Sequence, residues 1–136
     1  MNSANALLMA FGFLEEMLFL FWKRRHRGDP PPQGSPLDRY KSLLGELGVD
    51  LGSGCWPVIK DAAKVRNCLL HASGRISLMT DPEDMRNCIS RYEGLEEHLD
   101  RVVVTPVFLK RCVDAIRQLQ DLMIRGLGSP DGVDGV

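Results

Sequence analysis

Residues 56–74, WPVIKDAAKVRNCLLHASG, decide the fold class of this chain. Four apolar residues of this stretch lie four, three and four positions apart: Val58, Ala62, Val65 and Leu69. That spacing is typical of one face of an amphipathic α-helix. Because the following Ala72-Ser73-Gly74 ends the periodic pattern, we predict a helix over about 56–71.

Apolar spacing elsewhere predicts four more helices, over about 4–25, 37–47, 80–99 and 105–125. Ser35 with Pro36 is expected to start the second helix, and a capping box of Thr80 and Glu83 is expected to start the fourth. The only β-like run, 102–104, is too short to predict a sheet.

These elements predict an all-α fold, an antiparallel helical bundle of four to five helices. We expect one domain over 1–127 that contains a Pro/Gly-rich loop at 28–36, where three consecutive prolines exclude a helix. Residues 128–136 are predicted to form a flexible C-terminal tail.

Composition narrows the classes of function. Lys and Arg number 17 and Asp and Glu number 18, so the net charge of −1 gives no general attraction for nucleic acid, and an RNA site requires a local basic patch. The four cysteines form no C-x-x-C pair and are expected to be reduced, semi-buried thiols, with a disulfide pair as the alternative. The three histidines are far apart in sequence, so we predict no metal site.

The apolar run at 6–22, followed by the basic cluster 23–27, resembles a membrane anchor. The run is short for a bilayer span and carries Glu15 and Glu16 at its centre, where each carboxylate would cost about 2.5–3.5 kcal/mol. We therefore interpret it as the buried first helix of a cytoplasmic bundle, with no stable membrane association. One of the two glutamates is expected to face solvent and the other a polar partner or the cleft. A membrane-anchored protein is the alternative.

One polar ridge on the predicted third helix is the best candidate for chemistry. At about 100° per residue, four polar side chains point away from the apolar face: Lys60, Lys64, Asn67 and His71. Arg66 lies on the flank of this ridge, roughly 140° from His71. Arginine binds a phosphate through two parallel hydrogen bonds, and histidine transfers a proton near neutral pH. Together they suit the cleavage of a phosphodiester.

The offset between Arg66 and His71 also predicts a second copy of the chain. If two copies of the helix face each other, both arginines and both histidines can converge in one groove. We therefore expect a homodimer that forms through this helix and builds a composite site.

The stretch Arg66-Asn67-Cys68-Leu69-Leu70-His71 resembles the signature of the HEPN superfamily, in which an arginine, often followed by a polar residue, precedes a histidine by four to six residues. Ser73-Gly74-Arg75-Ile76 and the helical order on both sides support the resemblance, which covers about 4–127. It implies a dimeric, metal-independent endoribonuclease without a cofactor. The 2′-hydroxyl of the RNA attacks the neighbouring phosphorus and leaves 2′,3′-cyclic phosphate and 5′-hydroxyl ends.

Carried onto this chain, the resemblance makes His71 the general acid or base, Arg66 the group that stabilises transition-state charge, and Asn67 the group that orients the phosphate or the histidine. Our helical projection adds Lys60 and Lys64 as RNA contacts. We include Ser73 and Arg75, beside the signature, in the same RNA-binding set.

Members of the superfamily often act as toxins or in host defence, which implies an antitoxin or another protein partner. One branch that pairs with a nucleotidyltransferase antitoxin carries a tyrosine two residues after the histidine, where this chain has Ser73. Other members are inactive, so the alternative function is a non-catalytic helical module for dimerisation or binding.

Overall fold

Helices dominate the computed structural model, which describes residues 2–128. It contains five α-helices: α1 (Ser3–Arg25), α2 (Lys41–Glu46), α3 (Cys55–His71), α4 (Pro82–Ser90) and α5 (Pro106–Gly128). Short 3-10 turns cover Asp38–Tyr40 and Ile76–Leu78, and one antiparallel sheet pairs β1 (Leu95–His98) with β2 (Arg101–Val104). The predicted helical class is confirmed, and the prediction that no sheet forms is wrong.

The core lies between α3, α5 and α1. Three of the four residues in the predicted stripe of α3 are buried: Val58, Ala62 and Val65. Leu69, the fourth, is partly buried against the same cluster. The spacing that predicted the helix therefore also identified its core face.

The first helix begins at Ser3 because the side chain of Asn2 accepts a hydrogen bond from the backbone N–H of Asn5 at 2.8 Å. Its inner face is buried, and three large apolar residues on its outer face are exposed: Met9, Phe13 and Leu20. By length and composition this helix could cross a membrane, with a mean hydropathy of 1.6 over 18 residues, of which 28% are buried. Location in the cytoplasm stays a prediction.

The second helix starts later than its sequence signals predict. The Ser35 hydroxyl accepts from the backbone N–H of Asp38 at 3.4 Å, but the chain first forms a 3-10 turn, and α2 begins only at Lys41. The reason is local: Tyr40 has ψ near 7°, and its N–H bonds to the carbonyl of Leu37, three residues back. Residues 28–36 contain no helix or strand, as predicted.

The fourth helix is capped by Asp81 rather than by Thr80. The Asp81 carboxylate accepts the backbone N–H of Asp84 at 3.0 Å, and Pro82 occupies the first helical position. The capping box of Thr80 and Glu83 is therefore wrong by one position. The helix also ends at Ser90, nine residues before the predicted end at Leu99.

A β-hairpin replaces the predicted second half of this helix. Leu95 pairs with Val104, and Leu99 and Asp100 form the turn with φ of 49° and 66°. Before β1, Gly94 has φ of 89°, and a side chain there would lie 2.6 Å from the backbone nitrogen of Phe108. Only glycine fits both this backbone conformation and this approach to α5, so the chain turns where the apolar spacing suggested a continuous helix.

The hairpin anchors the segment that follows α3. The backbone N–H of Val102 donates to the carbonyl of Gly74 at 2.9 Å, and the Arg101 guanidinium donates to the carbonyl of Ser73 at 2.8 Å. In return, the N–H of Ile76 donates to the carbonyl of Asp100 at 2.7 Å. These bonds hold the chain immediately after His71 against the body of the protein.

The last helix is longer than predicted. It continues to Gly128, so the first residue assigned to the C-terminal tail belongs to α5. Gly126 lies inside the helix, and a side chain there would approach the carbonyl oxygen of Leu47 to 2.3 Å. The rest of the predicted tail, 129–136, lies outside the described residues.

We predict that Asp81→Ala lowers the free energy of unfolding by about 1 kcal/mol, because it leaves the backbone N–H of Asp84, in the first turn of α4, without its acceptor. The adjacent Thr80→Ala, which removes no capping bond, should change it by less than about 0.5 kcal/mol. Urea denaturation of both variants checks this, and an equal loss would contradict the assignment of Asp81 as the cap.

Candidate functional site

A cavity of about 640 Å³ lies along the polar side of α3. Arg66, Asn67 and His71 all line it, together with residues that precede α2 and residues 78–81, 84 and 85. Although Arg66 and His71 are five positions apart on the helix, the cavity is wide enough to receive both side chains from one copy of the chain. The structure therefore brings together the three residues that the sequence singled out.

Arg66 is buried, with 8% of its surface exposed. Its Nη1 donates to the Glu15 carboxylate on α1, its Nη2 donates to Asn67 Oδ1 at 3.3 Å, and its guanidinium lies over the Phe11 ring at 4.9 Å. Its Nε is buried and has no acceptor among the described residues. The helical projection placed Arg66 on the flank of the ridge but did not predict its burial against α1.

His71 is the last residue of α3, and its side chain is exposed. The imidazole makes no hydrogen bond or ion pair with any residue in 2–128. Asn67, one turn earlier, is also exposed. The prediction that both side chains point away from the core is confirmed, and His71 is accessible to a ligand in the cavity.

The two lysines of the ridge are neutralised by carboxylates. Lys60 binds Asp38, and Lys64 lies 3.2 Å from Asp84 and 3.7 Å from Asp61. The hydrogen bond from Lys60 holds the pKa of Asp38 below its ordinary value, although burial acts in the opposite direction. A phosphate would therefore have to displace a carboxylate from each lysine.

The formal charges on the cavity lining cancel in one copy of the chain. Three cationic and three carboxylate side chains line the cavity: Lys60, Lys64, Arg66, Asp38, Asp81 and Asp84. Electrostatic attraction for an RNA backbone is therefore weak here, and recognition of a phosphate depends on the few N–H groups that remain available.

Ser73 and Arg75 do not line the cavity. Ser73 has φ of 54°, and its carbonyl accepts a hydrogen bond from Arg101. It therefore forms part of the turn that follows α3. Arg75 is exposed and lies 3.7 Å from the carboxylate of Asp100. The structure thus separates these two predicted RNA contacts from the cluster of Arg66, Asn67 and His71.

The cysteines offer no nucleophile to this site. All four are free, as predicted, but they are fully buried rather than semi-buried. Burial raises the pKa of Cys88 to about 11 and that of Cys112 to about 12, so both thiols are protonated at neutral pH. Within residues 2–128 no group of three or more His, Cys, Asp or Glu side chains is placed to hold a metal ion.

The contacts of one carboxylate next to the polar ridge of α3 also went unpredicted. Asp61 accepts from the Tyr92 hydroxyl at 2.6 Å and from Arg91 at 3.0 Å, which ties α3 to the end of α4. Burial, followed by this hydrogen bond, raises the pKa of Tyr92. The sequence gave a signal for the carboxylate on α1 only, since one of Glu15 and Glu16 within an apolar run needs a polar partner. The structure shows that this residue is Glu15.

Comparison of the chain with protein-family models, with curated proteins and with solved structures gave no match. The assignment of a function therefore depends on the geometry of this cavity and on the resemblance carried by residues 66–76.

We predict that the Asp38–Lys60 pair makes stability depend on pH in the acid range. Because the folded-state pKa of Asp38 is lowered, the pair stabilises the fold above the unfolded-state pKa of roughly 3.9, and this contribution is lost as the pH falls through the folded-state value. Thermal unfolding is measured from pH 7 to pH 2.5. The Tm of wild type should exceed that of Asp38→Asn near neutral pH, and this difference should disappear below roughly pH 4.

Lys60→Met provides the control, because it removes the donor and keeps the carboxylate. This variant should lose most of the same acid dependence. If wild type and Lys60→Met respond to pH in the same way, the ion pair is not the cause.

Proposed function

We propose that this chain is a metal-independent endoribonuclease of the HEPN type, with Arg66, Asn67 and His71 at its site. The observation that carries the proposal is the shared cavity, which three side chains of the signature line at once. An exposed imidazole and an arginine with an unused N–H group provide the two functions that cleavage by an internal hydroxyl requires.

In the proposed reaction the 2′-oxygen of a ribose attacks the adjacent phosphorus while an imidazole removes the hydroxyl proton. The bond from phosphorus to the 5′-oxygen then breaks, and the leaving oxygen takes a proton from an imidazolium. Arg66 stabilises the negative charge that gathers on the phosphoryl oxygens. The products are a 2′,3′-cyclic phosphate and a 5′-hydroxyl, and no water or metal ion takes part.

A second copy of the chain fits this chemistry, because base and acid act on opposite sides of the phosphorus. With two facing copies, one His71 can serve as base and the other as acid. Leu78 lies in the wall of the cavity, and Leu70 directly precedes His71, which lines it. Each leucine is more than half exposed. They provide the apolar contact that such a symmetric interface would bury.

A non-catalytic binding module is the second candidate, and one observation favours it. Arg66 is already paired with Glu15, and the charges that line the cavity cancel in one copy. In this alternative the same surface dimerises or binds a partner protein without cleaving RNA. A role as a toxin or in host defence, with an antitoxin partner, stays a prediction under the catalytic proposal.

We predict that the purified protein cleaves single-stranded RNA in excess chelator and leaves 2′,3′-cyclic phosphate ends. His71→Ala should lower the rate by at least about a hundredfold, because it removes the proton-transfer group. His98→Ala is the matched control: His98 is also exposed, but it lies on β1 and does not line the cavity.

An equal loss of cleavage rate in His71→Ala and His98→Ala would reject His71 as the catalytic group. If a folded dimer cleaves neither structured nor unstructured RNA, the binding module becomes the better interpretation.

We predict a homodimer that Leu70→Asp and Leu78→Asp each weaken at least tenfold, since a buried carboxylate without a partner is unfavourable in an apolar interface. Leu20→Asp is the control, because Leu20 is 53% exposed but lies on the outer face of α1. Sedimentation equilibrium measures the dissociation constants of wild type and of the three variants. A monomeric wild type at working concentrations would exclude the composite site.

A further inference from the structure

We infer that Glu15 is a positioning residue: it holds the Arg66 guanidinium by Nη1, so that the edge formed by Nε and Nη2 can bind the RNA phosphate once Asn67 moves aside. This inference rests on the proposed function and adds a residue from α1, which lies outside the signature. The step it explains is the orientation of Arg66 before substrate binds.

Three contacts fix the guanidinium of Arg66. The Phe11 ring, 4.9 Å away, restricts the plane of the group. The Glu15 carboxylate binds Nη1, and Asn67 Oδ1 accepts from Nη2 at 3.3 Å, so rotation within that plane is restricted as well. Since about 90% of the side chain is buried, few other orientations are open to it.

The Glu15 carboxylate could either orient Arg66 or occupy the position where the phosphate binds, and its place on the guanidinium distinguishes these two roles. Arginine binds a phosphate through two parallel N–H groups, and Nε with Nη2 forms one such edge. Glu15 binds at the opposite corner, Nη1, and Nε has no acceptor among the described residues. Glu15 therefore orients the edge rather than occupying the phosphate position.

Asn67 is the side chain that a phosphate would replace. Its bond to Nη2 is long at 3.3 Å, and the side chain is exposed, so it can turn away at little cost. A phosphate oxygen can then accept from Nη2 while a second oxygen accepts from Nε. Because Nε is buried, a phosphate can reach it only after a rearrangement, and we assign that rearrangement to the movement of Asn67.

Glu16 provides a natural control for Glu15. The two residues are adjacent on α1 and point about 100° apart. Glu16 is exposed and makes no hydrogen bond or ion pair within the described residues. Substitution of either residue removes the same charge from the same helix, but only Glu15 contacts Arg66.

The test compares Glu15→Gln, Glu15→Asp and Glu16→Gln in the full chain, with RNA cleavage measured under saturating and limiting substrate. Glu15→Gln should lower kcat about ten- to a hundredfold, since a misoriented group loses transition-state contacts, and should change KM less than about threefold. Glu15→Asp keeps the charge that the buried Arg66 needs for folding but shortens the side chain, so kcat should fall while Tm stays close to wild type. Glu16→Gln should change neither constant more than about twofold.

A readout without cleavage separates this inference from the proposed function. The ¹⁵N-labelled Nε–H signal of Arg66 is followed while a mixed-sequence oligonucleotide, 2′-O-methylated at every ribose and therefore uncleavable, is added. The signal should shift in wild type and in Glu16→Gln and should respond weakly in both Glu15 variants. If the oligonucleotide leaves the signal of wild type unchanged, or shifts all four proteins alike, the positioning role is overturned.

The kinetic and NMR results together distinguish failure of the positioning role of Glu15 from failure of the proposed catalytic function. If wild type cleaves RNA and the variants at positions 15 and 16 behave alike, Glu15 has no positioning role, although the proposed function stands. If wild type does not cleave RNA but its Nε–H signal shifts and that of the Glu15 variants does not, catalysis is rejected while Glu15 still orients a phosphate-binding arginine.

Discussion

The burial of one guanidinium constrains how the first and third helices fit together. Arg66 is 8% exposed, and a charge at that depth is strongly unfavourable without a partner. Glu15 supplies the partner from a residue 51 positions earlier, and Phe11, one turn away on the same helix, lies under the guanidinium. The register of α1 against α3 and the orientation of the proposed site are therefore set by the same contacts.

Electrostatics around the cavity argue for recognition at a few positions rather than by a basic surface. Asp38 from the turn before α2 and Asp84 from α4 each bind a lysine of α3. These pairs remove the long-range attraction that the two lysines would exert on RNA. The proposed chemistry then depends on Arg66 and His71. The near-neutral charge of the whole chain agrees with a site that uses few cationic side chains.

The hairpin shows why apolar spacing alone led to the wrong prediction of a helix over residues 91–99. Leu95 and Leu99 are four positions apart, as in a helix, yet one pairs with Val104 in the sheet and the other lies in the turn with φ of 49°. A strand is stabilised by its partner, and the partner segment is not visible in the spacing of either strand. The close approach of Gly94 to Phe108, which favours the turn, is likewise a contact between distant parts of the chain.

The sequence by itself determined the long helices, the core face of α3 and the exposure of Asn67 and His71, because helical periodicity is a local property that rotates each residue by a constant angle. It also indicated that one glutamate of α1 needs a polar partner. Only the tertiary structure decided that this partner is Arg66 and that carboxylates from other elements neutralise the ridge lysines. Those pairings depend on distances through space between residues far apart in the chain, which no local pattern encodes.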